Sequence, residues 1–149
     1  MKKIVIGADH RGFHLKEKIK EIFSKRNYQF LDVGTHSTDM VDYPDIASAI
    51  VKPILSSECD KGIFICGSGV GASVAASKFK GIRAASCNDV FSAHQGVEDD
   101  DMNVLCLGGG IVGDSLAVDI IDAFLKAKLK NEERYLRRLE KIKKIEDSQ

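Results

Sequence analysis

At 149 residues, with 44% hydrophobic and 30% charged side chains, the chain has the make-up of one globular domain that buries a core without disulfide or metal staples. Its 22 basic and 22 acidic residues give zero formal charge, which excludes a general electrostatic pull toward nucleic acid or an anionic membrane. The first apolar run, Ile4 to Ile6, is too short for a signal-peptide core or a membrane span, so the expected location is the cytoplasm.

Lys3 to Ala8, β-branched and apolar, reads as a first strand, and Asp9-His10-Arg11-Gly12 follows as a polar loop. From Phe13 to Arg26, Leu15, Ile19, Ile22 and Phe23 recur at helical spacing with Lys and Glu between them, an amphipathic helix. Gln29 to Val33 is a second strand. Gly34 to Pro44 is then a long loop carrying Thr35, His36, Ser37, Thr38, Asp39, Asp42 and Tyr43, and such loops hold binding residues more often than their share. Asp45 should cap the next helix, whose apolar side includes Ile46, Ala49 and Ile50, with Pro53 kinking or ending it.

The third strand, Ile63 to Ile65, stops abruptly at Cys66 and the alternate glycines Gly67, Gly69 and Gly71, and a small-residue helix containing Val74 and Phe79 follows. Glycines at such a turn let successive N–H groups converge on one anionic oxygen at the positive end of a helix. The stretch is an anion pocket with a thiol at its rim, although a tight strand-to-helix turn demands the same glycines for steric reasons alone. A thiol in that setting is a base or nucleophile when its pKa is lowered, and inert packing when it is simply buried.

Ile82 to Cys87 reads as a fourth strand, Asp89 as the cap of a helix running toward Val97, and Val104 to Leu107 as a fifth strand before Gly108-Gly109-Gly110. Leu116, Ile120, Phe124 and Ala127 line the next helix. A final helix, from about Glu132 to Ile145, presents Tyr135, Leu139 and Ile142 and is expected to pack on a partner subunit or on adjacent helices. Strands alternating with helices imply an α/β fold: a doubly wound, Rossmann-like parallel sheet of five strands in three layers, with one extra C-terminal helix and a single domain over residues 1–149. Ligands in such folds bind outside the carboxyl ends of the strands where the winding reverses, and Asp9, His10, Cys66 and Ser68 fall at such ends.

Cys59, Cys66, Cys87 and Cys106 lack the paired short spacing of zinc or redox motifs, which favours reduced thiols. His10 and His14 have i, i+4 spacing but no third ligand, so no metal is expected. Charge is uneven, acidic from Asp89 to Asp122 and basic from Lys126 onward. Arg134 and Arg138, four apart, share one helix face in a way that suits a phosphate, while a solvated basic tail is the plainer reading.

Taken together these residues resemble the ribose-5-phosphate isomerase B family, which also contains galactose-6-phosphate isomerase subunits. The resemblance is carried by Gly7-Ala8-Asp9-His10, Asp42-Tyr43-Pro44, Cys66-Gly67-Ser68-Gly69-Val70-Gly71, Lys78 with Gly81-Ile82-Arg83-Ala84, Asn103-Val104-Leu105 and the late arginine pair. It implies an aldose–ketose isomerase of a small sugar phosphate that needs no metal or cofactor and works as a homodimer or homotetramer with active sites between subunits. It makes Cys66 the base that moves a proton between C1 and C2, with Ser68, where the family usually has Thr, bonding the reacting oxygens. Abstraction of a proton beside a carbonyl leaves an enediolate, whose oxygen needs the N–H donors of the loop Gly67, Gly69, Val70 and Gly71. The resemblance further implies that Asp9 and Tyr43 orient sugar hydroxyls and that His10, Arg134 and Arg138 hold the phosphate.

The chain departs from the family pattern where the ring-opening histidine is expected: that position is Asp99, followed by Asp100 at a substrate-binding position. His94, five residues earlier, would serve only if the chain folded back. Ser77 replaces a usual Asn, and Glu133-Arg134-Tyr135 a usual Gly-Arg-His. A proton shuttle near neutral pH suits histidine better than aspartate. Either the substrate is acyclic, such as a tetrose or tetrulose phosphate, or ribose 5-phosphate opens spontaneously or with help from another residue. A non-catalytic sugar-phosphate-binding subunit of a hetero-oligomer is the competing reading, and retention of both Cys66 and Asp9 speaks against it.

Overall fold

The structure, a computed structural model, describes residues 2–149. Five strands, β1 (Lys2–Ala8), β2 (Tyr28–Asp32), β3 (Lys61–Cys66), β4 (Ala84–Ser86) and β5 (Val104–Gly108), form one parallel sheet in the order β2-β1-β3-β5-β4. The chain leaves β1 for β2 on one side and then crosses back past β1 to β3. The winding therefore reverses between β1 and β3, where the fold opens a crevice at the carboxyl ends.

Alternation along the central strands sends successive side chains to opposite faces, and both faces are covered, which is why these strands read as continuous apolar runs. On one face Ile4, Ile6, Ile63, Ile65, Leu105 and Leu107 pack with residues of α1 (Phe13–Phe23), α4 (Val90–Asp100) and α5 (Asp114–Lys126). On the other, Val5, Phe64 and Cys106 pack with α2 (Tyr43–Leu55) and α3 (Val70–Ala76). The last helix, α6 (Glu133–Asp147), stands outside both layers: Tyr135 is buried and Leu139 half-buried, while Leu136 and Ile142 are exposed.

Several boundaries differ from the sequence expectation. α2 starts at Tyr43, with Asp42 at its N-cap and Asp45 inside the first turn, because Pro44 is well suited to a first turn where its missing N–H has no helical partner. Pro53 sits in the last turn and the helix ends two residues later. α1 stops at Phe23, short of Arg26, and α3 stops at Ala76, before Phe79. β4 keeps only three residues, as befits an edge strand with one neighbour. Asp89 does cap α4, its carboxylate accepting the N–H of Ser92 at 2.7 Å.

Candidate active site

At the end of β1, Asp9 is buried and its Oδ1 accepts the N–H groups of Arg11 at 2.9 Å and Gly12 at 3.1 Å, an Asx turn that launches α1. His10 accepts the N–H of Val41 on Nδ1 at 3.3 Å, which places the proton of the neutral ring on Nε2. The long loop that supplies Val41 is itself docked on β1: Ala8 N–H donates to Gly34 O at 2.8 Å and Thr35 N–H to Ala8 O at 2.7 Å.

Cys66 ends β3, and its Sγ accepts the N–H of Gly69 at 3.1 Å. Burial raises the thiols of Cys59, Cys87 (to about 11) and Cys106 (further still). They are core residues; among the described residues Cys66 is the cysteine with an amide aimed at its sulfur. That geometry needs Gly69 in the left-handed region at φ +85, and a Cβ there would also lie 2.6 Å from Ser86 Oγ. Ser68 Oγ accepts the N–H of Val70 at 3.2 Å, which leaves its own proton to donate.

The loop is clamped from behind by the exit of β5, where Gly109 N–H donates to Cys66 O at 2.7 Å and Gly110 N–H to Gly67 O at 2.9 Å. The carbonyls are thereby spent, while the first-turn N–H groups of α3 have no helical carbonyl behind them. At seven residues α3 is too short to contribute much macrodipole, so the cradle is made of loop amides rather than of the positive end of a long helix. Tyr43 closes one side, its ring lying over Gly71 so closely that a Cβ there would sit 3.0 Å from Tyr43 Cζ. Arg11, which the sequence reading left unassigned, lies against Gly67: a Cβ on that glycine would fall 2.6 Å from Arg11 Cζ.

The remaining residues singled out from sequence lie elsewhere. α4 runs from the carboxyl end of β4 to the amino end of β5, so Asp99 and Asp100 stand at the pole of the sheet opposite Cys66, separated by roughly 20 Å of strand. Asp99 accepts from Gln95 Nε2 at 2.7 Å and faces Lys130 Nζ at 3.4 Å; the Gln95 bond, backed by Lys130 and Arg134, holds its carboxyl below the usual range. Asp100 is pushed the other way, by burial and then by Asp99, with Arg138 opposing. Tyr135 joins this group, its hydroxyl accepting from Arg134 Nη2 at 2.9 Å and its ring lying 5.9 Å from Arg138 Cζ. Asp99, Asp100, Arg134 and Arg138 thus form one cluster, and in a single chain they do not meet Cys66. His94 is helical, with Nδ1 3.1 Å from Glu98 Oε1, and no fold-back brings it to Asp99's place.

The ribose/galactose isomerase family matches residues 4–142. Ribose-5-phosphate isomerase B of Escherichia coli K12 is 44% identical over 146 residues, covering 98% of this chain and 97% of that protein. The solved structure of ribose-5-phosphate isomerase B from Clostridium thermocellum aligns with a TM-score of 0.95 at 45% identity, covering 98% of each chain. That of the Mycoplasma genitalium enzyme with bound ribulose 5-phosphate aligns with a TM-score of 0.92 at 38% identity, covering 99% of this chain and 97% of that one. No helix among the described residues is long and apolar enough to cross a membrane. The likeness carried by a few motifs extends over nearly the whole length of the chain, which belongs to the ribose/galactose isomerase family.

Proposed function

We propose that this protein is an aldose–ketose isomerase of a small sugar phosphate, converting ribose 5-phosphate to ribulose 5-phosphate or acting on an acyclic relative such as a tetrose phosphate. The observation that carries the reading is the Cys66 sulfur held by the Gly69 N–H at the mouth of the glycine loop. Cys66, as thiolate, takes the proton from C2 of the open-chain aldose, and the electron pair moves through C1 onto the carbonyl oxygen to give a cis-enediolate. Because the Gly69 N–H is held by Cys66 Sγ and the Val70 N–H by Ser68 Oγ, the expected donors left for that oxygen are the amides of Gly67 and Gly71. Ser68 relays a proton between the two reacting oxygens, and the Cys66 thiol returns its proton to C1 to give the ketose. Asp9 Oδ1 is committed to its turn, so Oδ2 is the atom that binds a sugar hydroxyl, beside Tyr43.

The phosphate end needs cations that one chain holds at the wrong pole. A second copy related by a two-fold axis supplies them: the partner subunit's Arg134 and Arg138 join His10 around the phosphate, and the partner subunit's Asp99 and Asp100 approach the sugar ring. A homodimer, or a tetramer built from it, is the functional unit. Four free cysteines and the absence of disulfides among the described residues suit a reducing cytoplasm.

Proton NMR in deuterated water, with separate samples of ribose 5-phosphate, allose 6-phosphate, galactose 6-phosphate and erythrose 4-phosphate, tests the reading. Deuterium should enter at C1 or C2 of the true substrate, with Cys66→Ala slowing exchange by about 1,000-fold at unchanged circular dichroism. Binding without exchange in every sample would make the chain a non-catalytic binding subunit. Exchange confined to erythrose 4-phosphate would identify an acyclic substrate as the reason for Asp99.

A further inference from the structure

The guanidinium of Arg11 presents an unspent charge at the glycine loop. A Cβ placed on Gly67 would lie 2.6 Å from both Cζ and Nη1 of Arg11 and 2.8 Å from Nε, so the planar group rests flat on the backbone between Cys66 and Ser68. Its main chain is fixed by the site itself, since Arg11 N–H donates to Asp9 Oδ1 at 2.9 Å. Among the described residues no carboxylate or other acceptor bonds the guanidinium, whereas Lys16, Lys20, Arg26 and Arg83 are all in ion pairs. An arginine head has up to five N–H donors in a rigid fork that matches two oxygens side by side. The head lies along the loop that carries the base.

We infer that Arg11 is a further catalytic residue, whose guanidinium contacts the paired C1 and C2 oxygens of the enediolate formed next to Cys66. The inference rests on the isomerase reading and adds a side-chain cation to a cradle otherwise made of amides. The enediolate carries its charge across two adjacent oxygens, the geometry a guanidinium fork fits, and charge develops there only as the C2 proton leaves. Arg11 therefore acts on the transition state more than on the bound sugar. The proposed reading gives the phosphate to His10 and the partner subunit's arginines, and the test below separates that role from the one inferred for Arg11.

The test uses Arg11→Gln and Arg11→Ala. Neither should disturb folding, because the wild-type side chain is exposed and unpaired, and thermal melts check this directly. Arg11→Gln should lower kcat by about 100-fold with KM changed less than threefold, and guanidinium ion should restore part of the activity of Arg11→Ala. Calorimetry gives a readout without turnover. A phosphorylated hydroxamate, planar across the two reacting positions, should bind Arg11→Gln at least tenfold more weakly, while inorganic phosphate binds both proteins alike. Equal weakening of hydroxamate and inorganic phosphate, or a rise in KM at constant kcat, would make Arg11 a phosphate ligand and overturn the inference. Unchanged kinetics would overturn it too. Failure of the underlying isomerase reading is seen separately, as absent deuterium exchange in the wild type with every sugar phosphate.

Discussion

The two poles of the sheet are built from different materials. At the carboxyl pole the site is mostly backbone: glycines at Gly67, Gly69 and Gly71, amides aimed at Cys66 and Ser68, and carbonyls tied off by Gly109 and Gly110. At the amino pole it is mostly charge: Arg83 on Asp101, Lys130 on Asp99, and Arg134 on Tyr135. Backbone placed by a parallel sheet is rigid, which on the proposed reading makes it a pre-organised cradle for an enediolate. Arg134 and Arg138 on α6 are of the kind that suits a phosphate, but they and the acids at the end of α4 lie a sheet's height away from Cys66. On the proposed reading these are two halves of one site, which a second copy of the chain would join.

That contrast breaks most visibly in a mixing experiment. Cys66→Ala and Arg138→Ala should each lose roughly 100-fold or more of activity when alone. Co-refolded in equal amounts, they should recover about a quarter of wild-type sites, because each mixed dimer carries one intact site and one doubly damaged one. If no activity returns, each site lies within one chain and the two-pole assignment is wrong.

A smaller effect sharpens the backbone half. Gly69→Ala forces a Cβ onto a residue at φ +85 and within 2.6 Å of Ser86 Oγ, which should cost roughly 1–3 kcal/mol in denaturant unfolding and release the N–H from Cys66. Gly113→Ala is the control, since a Cβ there meets nothing within 4 Å and the φ of −78 suits any residue. Similar losses in the two variants would mean that Gly69 has no special place.

How much of this was legible in the sequence follows the same division. β1, β3 and β5 are buried on both faces, so their apolar runs mark them, and the glycine loop marks itself by composition. The element order also places any helix end that precedes a strand at the amino pole, so the distance of Asp99 from Cys66 was implicit in the strand–helix alternation. Hidden from sequence were contacts between loops distant in the chain: Val41 on His10, Arg11 on Gly67, Gly109 on Cys66. The length of α3 was also hidden, because a run of Gly, Ala and Ser carries little apolar period to count. The sequence points to Asp45 as the cap of α2, whereas Asp42 holds that position without a side-chain bond that sequence could signal.

The least of the expected effects belongs to the amino pole. Lys61, at the start of β3, donates its Nζ to Phe124 O at 2.7 Å and Ala127 O at 3.1 Å, closing the end of α5. Burial, with Lys2 adding repulsion, lowers its pKa from 10.5 to about 8. Below pH 8 the lysine is charged in both folded and unfolded chains. Between pH 8 and 10.5 the folded chain has released a proton that the unfolded chain retains, so linkage makes stability rise with pH across that window. Other groups titrate there as well, so the quantity to measure is the stability of wild type minus that of Lys61→Met. It should shift toward the wild type by on the order of 1 kcal/mol from pH 7.5 to 10, once solvent screening of this partly exposed group is counted. A flat difference would mean that the amine is solvated in the folded chain, and that the cap on α5 is held by hydrogen bonds whose strength owes nothing to burial.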